Sequence, residues 1–483
     1  MSRQNLPGCI FGMCFPHTAE QLVSEDYGAA WLTRAFRAAG TLPGDNAVAK
    51  VVQCKVLPTA GVDTPGAGAM KALLTVEFLR QDPELHKKLF VKYPYECDYE
   101  SPLPFVRYSL SRGADDHDGL EIAVNLALPH LFPFRTPKVY FCDICRDTTN
   151  WIMVQECIPY AEKGQMENGH LLEPPELKPF DMLPACNKYQ DFLIPDPAEY
   201  YCCLFRKMGQ LAAWDKLGCF DCFFGYAQSY SQEQFLSNLQ REPQPFMKIV
   251  EIQWVTGSAF DKAIDFVLNV ANHIVPSDVC DESKLQRMKE EIVEMSIFLG
   301  DFTGCYQFND SDYIALMHPG CTTDNAFFWR DEYGHLDCGL LDWGAFHRHP
   351  FCMWFDRCLN IVDPGMLQER EHDILLSFVT EYQRCGGPKL SIQEVVLRFR
   401  MAYVQTLLED TGKVDGLLWE RGREELQAIR HISDELFQGH YTTRVFATML
   451  LSKVAYYVRR GDFKTLFDSW CQGSGRPYLT PYG

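Results

Sequence analysis

Within MHPGCTTDNAFFWRDEYGHLDCGLLDWG (317–344), His318 precedes Asn325 by seven residues, and a later apolar run ends in Asp342. A carboxylate wedged between Leu341 and Trp343 needs a partner, because an ionised group withdrawn from water is costly unless paired. Asn325 beside Asp324 can also be read as a turn. Lys92, in the strand-like KKLFVKYPY, is on its own an ordinary solvated strand lysine, and Glu121 an ordinary helix carboxylate. Gly61, Gly66 and Gly68 lie between two strand-like runs, where glycines let backbone approach a phosphate closely or simply turn a hairpin. They do not make Gly-x-Gly-x-x-Gly. Trp343, Phe346 and Trp354 read as core residues, the alternative being an aromatic cage for a quaternary ammonium.

Composition narrows the chemistry. Forty-five Lys and Arg against 64 Asp and Glu give a net charge of −19, which argues against a protein working on nucleic-acid backbones and would suit a cationic small molecule. The chain has 20 cysteines. Its two Cys-x-x-Cys pairs, Cys142/Cys145 and Cys219/Cys222, are much further apart than the roughly 15–20 residues usual between two zinc-binding pairs. Reduced, mostly buried thiols are the expectation. No stretch approaches the roughly 18 apolar residues of a membrane span. The first residues make a poor signal peptide, so the expected location is cytoplasmic.

The elements that must position these residues follow from periodicity. Residues 20–39 carry apolar side chains at helical spacing and stop before Gly40. Strand-like runs follow at 47–60, 70–79 and 87–95, then a helix at 117–132 and strands at 137–144 and 150–158. Residues 159–197 are proline-rich with little periodicity and read as a long loop or insertion. From residue 198 the pattern is helical, interrupted at 311–344 by a loop-rich segment with the strand-like pieces NAFFW and CGLLDWG. The expected organisation is a helical segment (1–46), a strand-rich lobe (47–158), the insertion (159–197) and a helical lobe (198–483), the tail beyond about 410 being unplaced.

The order His318, Asn325, Asp342 resembles the signature His-x-Asp-x4-Asn followed by a strand-end Asp. On these residues the chain is similar to the aminoglycoside phosphotransferase and choline kinase-like superfamily, and its ecdysteroid-kinase-like branch is closest in spacing around residues 121–129. The resemblance implies an α+β, two-lobed protein-kinase-like fold with an antiparallel-sheet N-lobe and a mostly helical C-lobe. It implies that Asn325 and Asp342 hold Mg²⁺ on the phosphates of ATP, since a hard cation takes oxygen ligands. It assigns Lys92 to the phosphates with Glu121 as its partner, Gly61, Gly66 and Gly68 to the phosphate loop, and Glu156 and Ile158 to an adenine-binding hinge. His318 belongs to the catalytic segment. The family's catalytic Asp falls on Gly320, which carries no carboxylate; Asp324 is the nearest in sequence that could substitute. Two functions follow as expectations. One is an ATP- and Mg²⁺-dependent kinase of a small hydroxylated molecule, slowed by the missing base. The other is a pseudokinase that binds nucleotide and serves as a scaffold or regulator.

Overall fold

The computed structural model describes residues 5–57, 69–94, 116–221, 249–302, 306–308, 310–318, 320–344 and 346–474. Gly61, Gly66, Gly68 and Cys222 therefore lie outside the described residues. The chain is α+β: a sheet lobe followed by a mostly helical lobe.

Helix α1 (Gly28–Ala38) is followed by strands β1 (Val48–Val56), β2 (Ala69–Phe78) and β3 (Lys88–Pro94). Helix α2 (His117–Ala127) then precedes β4 (Val139–Ile144) and β5 (Trp151–Glu156). The five strands form one sheet in the order β1-β2-β3-β5-β4, every neighbour antiparallel. Period-2 alternation sorts its two faces. Leu74, Val76, Leu89, Val91 and Val154 pack with Trp31 and Phe36 of α1 on one face. Ile122 of α2 packs with Trp151 and Met153 on the other. Lys92 follows Val91 and so faces the second side, toward the helical lobe. Cys142 is buried on β4, where burial pushes its thiol well above the ordinary range.

The proline-rich segment is less free than its sequence implied. Phe180 and Leu183 donate their N–H groups to Arg330 O and Phe328 O, each at 2.8 Å. The segment thereby runs along a strand of the second lobe and satisfies that edge.

The helical lobe opens with α3 (Pro197–Lys216), whose first turn is fixed by Pro197 at its start and by the Asp196 side chain, which accepts from Glu199 N–H. Four short strands occupy 314–350: β6 (Ile314–Met317), β7 (Ala326–Arg330), β8 (Leu336–Leu340) and β9 (His347–Pro350). They pair as two antiparallel ribbons, β7 with β8 and β6 with β9. Only the first ribbon was legible in the sequence, because β6 and β9 are four residues long and lie at either end of the loop-rich segment. Asp342 sits two residues beyond β8, not within a strand. Helices α4 (Phe351–Leu359), α5 (Pro364–Arg384), α6 (Ile392–Thr411) and α7 (Tyr441–Arg460) complete the framework. The tail left unplaced by the sequence is a structural part of the lobe: Leu450, Val454, Tyr456, Tyr457 and Phe463 are buried in its main core. Among the described residues no helix is long and apolar enough to cross a membrane.

Candidate nucleotide and metal site

Lys92 joins the two lobes. Its ammonium donates to Glu121 Oε1 at 2.6 Å and to Asp342 Oδ1 at 2.7 Å. Three elements set this up: β3 aims Lys92 out of the sheet, α2 presents Glu121 from above it, and the turn after β8 delivers Asp342 from 250 residues away. Lys92 and Glu121 are buried, whereas Asp342 is half-exposed. Burial alone would lower the Lys92 pKa, but the charges of Asp342 and Glu121 outweigh it and hold the ammonium above its ordinary value. Burial likewise would raise Asp342, yet the Lys92 and Lys71 ammoniums keep it well below the usual carboxylate range. Asp342 has φ +71°, in the left-handed region that Asp tolerates better than most side chains.

His318 braces this turn. It is fully buried, its Nε2 lies 2.9 Å from Leu341 O, and Gly320 N–H donates to its Nδ1 at 3.2 Å. That pair of contacts requires Nε2–H to donate and Nδ1 to accept, so the ring is neutral. Burial lowers its pKa in the same sense. Trp343 meets the ring edge-on at 4.6 Å. His318 therefore positions Leu341 and, one residue on, Asp342.

Asn325 belongs to the same assembly. Its backbone carbonyl accepts from Leu341 N–H at 3.0 Å, and its Nδ2 donates to Gly320 O at 2.8 Å. The amide orientation leaves Oδ1 of Asn325 and Oδ2 of Asp342 without hydrogen-bond partners among the described residues. Among those residues no group of three His, Cys, Asp or Glu side chains could hold a metal. Two oxygens from a carboxamide and a carboxylate nevertheless suit Mg²⁺, which keeps waters and takes its remaining ligands from phosphates.

Gly320 stands in line with this chemistry but offers only backbone. A Cβ added there would lie 3.1 Å from Asn325 Nδ2, closer than a side chain ordinarily sits. Asp324 does not occupy the same place. Its carboxylate accepts from Thr322 Oγ1 at 2.8 Å and pairs with Lys188 at 3.8 Å. Beside it Asp191, fully buried, accepts from Thr323 Oγ1 at 2.6 Å and from the Tyr201 hydroxyl. Burial, opposed by these hydrogen bonds, pushes Asp191 up to about 6.

At the lobe junction Ile158, Met182 and Phe327 form a small apolar cluster with Tyr160, Trp329 and Leu341 around it. Leu341 adjoins Asp342, so this cluster abuts the polar site. The Glu156 carboxylate is engaged elsewhere, accepting from Arg135 Nη2 at 2.7 Å and from Lys138 N–H at 3.0 Å. The Glu156 backbone N–H is taken as well, donating to Lys138 O at 2.8 Å.

Three features escaped the sequence reading. Lys71 of β2 is the direct cross-strand partner of Lys92. Lys188 pairs with Asp324. A cavity of about 280 Å³ is lined by Gly320, Thr322 and Asn325 together with Asp356, Asp410 and Lys453 from the helices. Pairing register could have revealed the first; the helical residues carry no local signal.

No family profile and no curated protein matches the sequence. Among solved structures the chain is similar to an ethanolamine kinase of Plasmodium vivax, at 9% identity over 83% of this chain and 81% of that one, TM-score 0.33. It is similar to a choline kinase of Cryptosporidium parvum at 9% identity, covering 86% and 93%, TM-score 0.34. A microcompartment-associated aminopropanol kinase matches at 11% identity, covering 90% and 99%, TM-score 0.32. Scores this low say nothing of substrate or activity.

Proposed function

We propose that this chain binds Mg²⁺-ATP between its lobes and transfers a phosphoryl group to the hydroxyl of a small molecule, slowly for want of a carboxylate at residue 320. The observation that carries this reading is the Glu121–Lys92–Asp342 relay, two contacts of 2.6 and 2.7 Å that join strand, helix and turn. Asn325 and Asp342 would hold the Mg²⁺, which when bound neutralises charge on the phosphates. Glu121 fixes the Lys92 ammonium so that it meets phosphate oxygens without reorganising. Ile158, Met182 and Phe327 offer an apolar seat for the base. The cavity beside Gly320 holds the acceptor, and its mixed charges exclude a purely apolar one. Phosphoryl transfer depends mainly on positioning and charge stabilisation, so loss of the base slows the reaction, typically by about 10²–10⁴, without removing its other supports.

A pseudokinase is the second reading, favoured by Gly320 itself: the Asn325 amide closes on its carbonyl and no carboxylate replaces the base. Titrating Mg²⁺-ATP while following the melting temperature, and then assaying ATP turnover with hydroxylated acceptors, separates the two. Binding with turnover supports the enzyme, and binding without turnover supports the pseudokinase. No melting shift with ATP, GTP or their Mg²⁺ complexes overturns both.

A further inference from the structure

Lys71 shares the cleft face of the sheet with Lys92. The two are opposed in the β2–β3 register, which places their side chains together, with Cβ atoms about 4.5–5.5 Å apart. Like charges so opposed are destabilising, and a strand facing a buried lysine would be expected to carry something apolar. The neighbours on this face follow that expectation, since Phe90 opposes Leu73 in the same register. Lys71 does not. It is half-buried, and the charges acting on it are those of Asp342, Lys92, Lys188 and Glu121. Both nearby carboxylates are already committed to Lys92, at 2.6 and 2.7 Å. Among the described residues Lys71 has neither an ion pair nor a hydrogen bond. A second ammonium is therefore held against the first without an anion of its own.

We propose that Lys71 is a second phosphate-anchoring cation, which with Lys92 grips an oligophosphate from the sheet side of the cleft. The inference rests on the nucleotide-site reading above and adds a residue to it. Two ammoniums fixed on adjacent strands suit a ligand with anionic oxygens on successive phosphoryl groups, and an oligophosphate supplies the compensation that the protein withholds.

The test measures binding of Mg²⁺-ATP, adenosine and inorganic tripolyphosphate to the full chain, wild type beside Lys71→Ala and Lys71→Arg. Lys71→Ala should weaken Mg²⁺-ATP and tripolyphosphate by about tenfold or more, the worth of one charge-assisted contact, and leave adenosine unchanged. Lys71→Arg should keep most of the affinity. The ligand-free melting temperature of Lys71→Ala should be unchanged or higher, because repulsion with Lys92 is relieved. Unchanged ATP and tripolyphosphate binding in Lys71→Ala overturns the proposal, as does an equal loss for adenosine, which would mark a structural role. Should wild type bind tripolyphosphate in a Lys71-dependent way but no nucleotide, the nucleotide reading falls and this inference stands. Should wild type bind neither, both fall.

Discussion

Lys92 has two carboxylates and each has a different exposure, so its replacement divides the consequences. Removing Lys92 leaves Glu121 buried, at 1% exposure, without its ion-pair partner and with only the more distant Lys71 charge; a buried charge stripped of its partner costs about 3–5 kcal/mol. Lys92→Met should therefore lower the urea midpoint strongly, and Lys92→Met/Glu121→Leu should recover most of the loss. A single mutant within about 0.5 kcal/mol of wild type would show that the pair is not buried as described. Asp342→Ala acts in the opposite way. It leaves Lys92 paired with Glu121, so folding survives, but any Mg²⁺-ATP melting shift should vanish with the cation that screens the phosphates. A shift that persists in Asp342→Ala removes Asp342 from the metal site. Gly320→Asp tests the missing base: the added Cβ would lie 3.1 Å from the Asn325 amide, which must give by a few tenths of an ångström to admit it. ATP turnover should rise by about one to three orders of magnitude with little change in nucleotide affinity. Gly320→Asn, which cannot take a proton, should not reproduce the gain; equal rates in the two variants would mean that another step limits the site. His318, Asn325 and Asp342 were legible through their spacing, and Lys92 only through the resemblance that this spacing carries, since a strand lysine has no signal of its own. Lys71 was not, since a strand lysine declares its face only through register.

At the scale of elements, the glycine of α3 and the 3₁₀ turn at 191–193 show how the helical lobe is fitted to the site. α3 and α5 cross so closely that a Cβ on Gly209 would lie 2.8 Å from Phe378 O. Gly209→Ala should cost about 1–3 kcal/mol by forcing these helices apart, although alanine is the better helix former; a neutral or stabilising result in urea unfolding would show that the crossing has slack. The turn at 191–193 ties the proline-rich segment to Thr323 and to Tyr201 of α3 through Asp191. Its folded pKa, about 6, exceeds the ordinary value of 3.8, so the folded chain binds the proton more tightly than the unfolded one. The contribution of Asp191 is accordingly complete below about 3.8 and is lost as pH rises toward 6. Subtracting the unfolding free energy of Asp191→Asn from that of wild type should leave a difference that falls across this window and flattens above it. A flat difference throughout would mean that Asp191 is not held in the protonated form. The proline-rich segment itself was read as loop because its backbone partners, Phe328 and Arg330, lie about 145 residues away and prolines suppress any strand pattern of its own.

The whole molecule is closed by its last helices, and the polar floor of the cavity beside Gly320 depends on them. Lys453 of α7 is fully buried and donates to Asp410 Oδ2 at 2.9 Å and to Thr406 Oγ1 at 2.7 Å, with Asp356 Oδ2 at 3.6 Å. Thr406 in turn donates to Asp356 at 2.7 Å. One ammonium thus neutralises carboxylates from α4 and α6, and α4 follows directly on the segment that delivers Asp342. Sequence could not place this tail because the three charges lie on separate helices and none stands out from a helical surface pattern. Burial raises the pKa of Asp356, and the Lys453 charge opposes it most, followed by the Thr406 hydrogen bond and, more weakly, the Arg357 charge. Lys453→Met should leave Asp356 without its ion-pair partner and Asp410 with only Lys413 among the described residues, at 2.6 Å, a loss of up to about 3–5 kcal/mol. Because the deficit is a surplus of buried negative charge, Lys453→Met/Asp356→Asn should recover part of it, whereas Lys453→Met/Lys413→Met should deepen it. The readout is urea unfolding of all three variants, with Mg²⁺-ATP binding measured on those that fold. If the tail only supports the floor, nucleotide affinity stays near wild type in the repaired double variant while acceptor-dependent turnover falls. Equal stability of Lys453→Met and wild type would mean that the floor is hydrated and the tail dispensable to it.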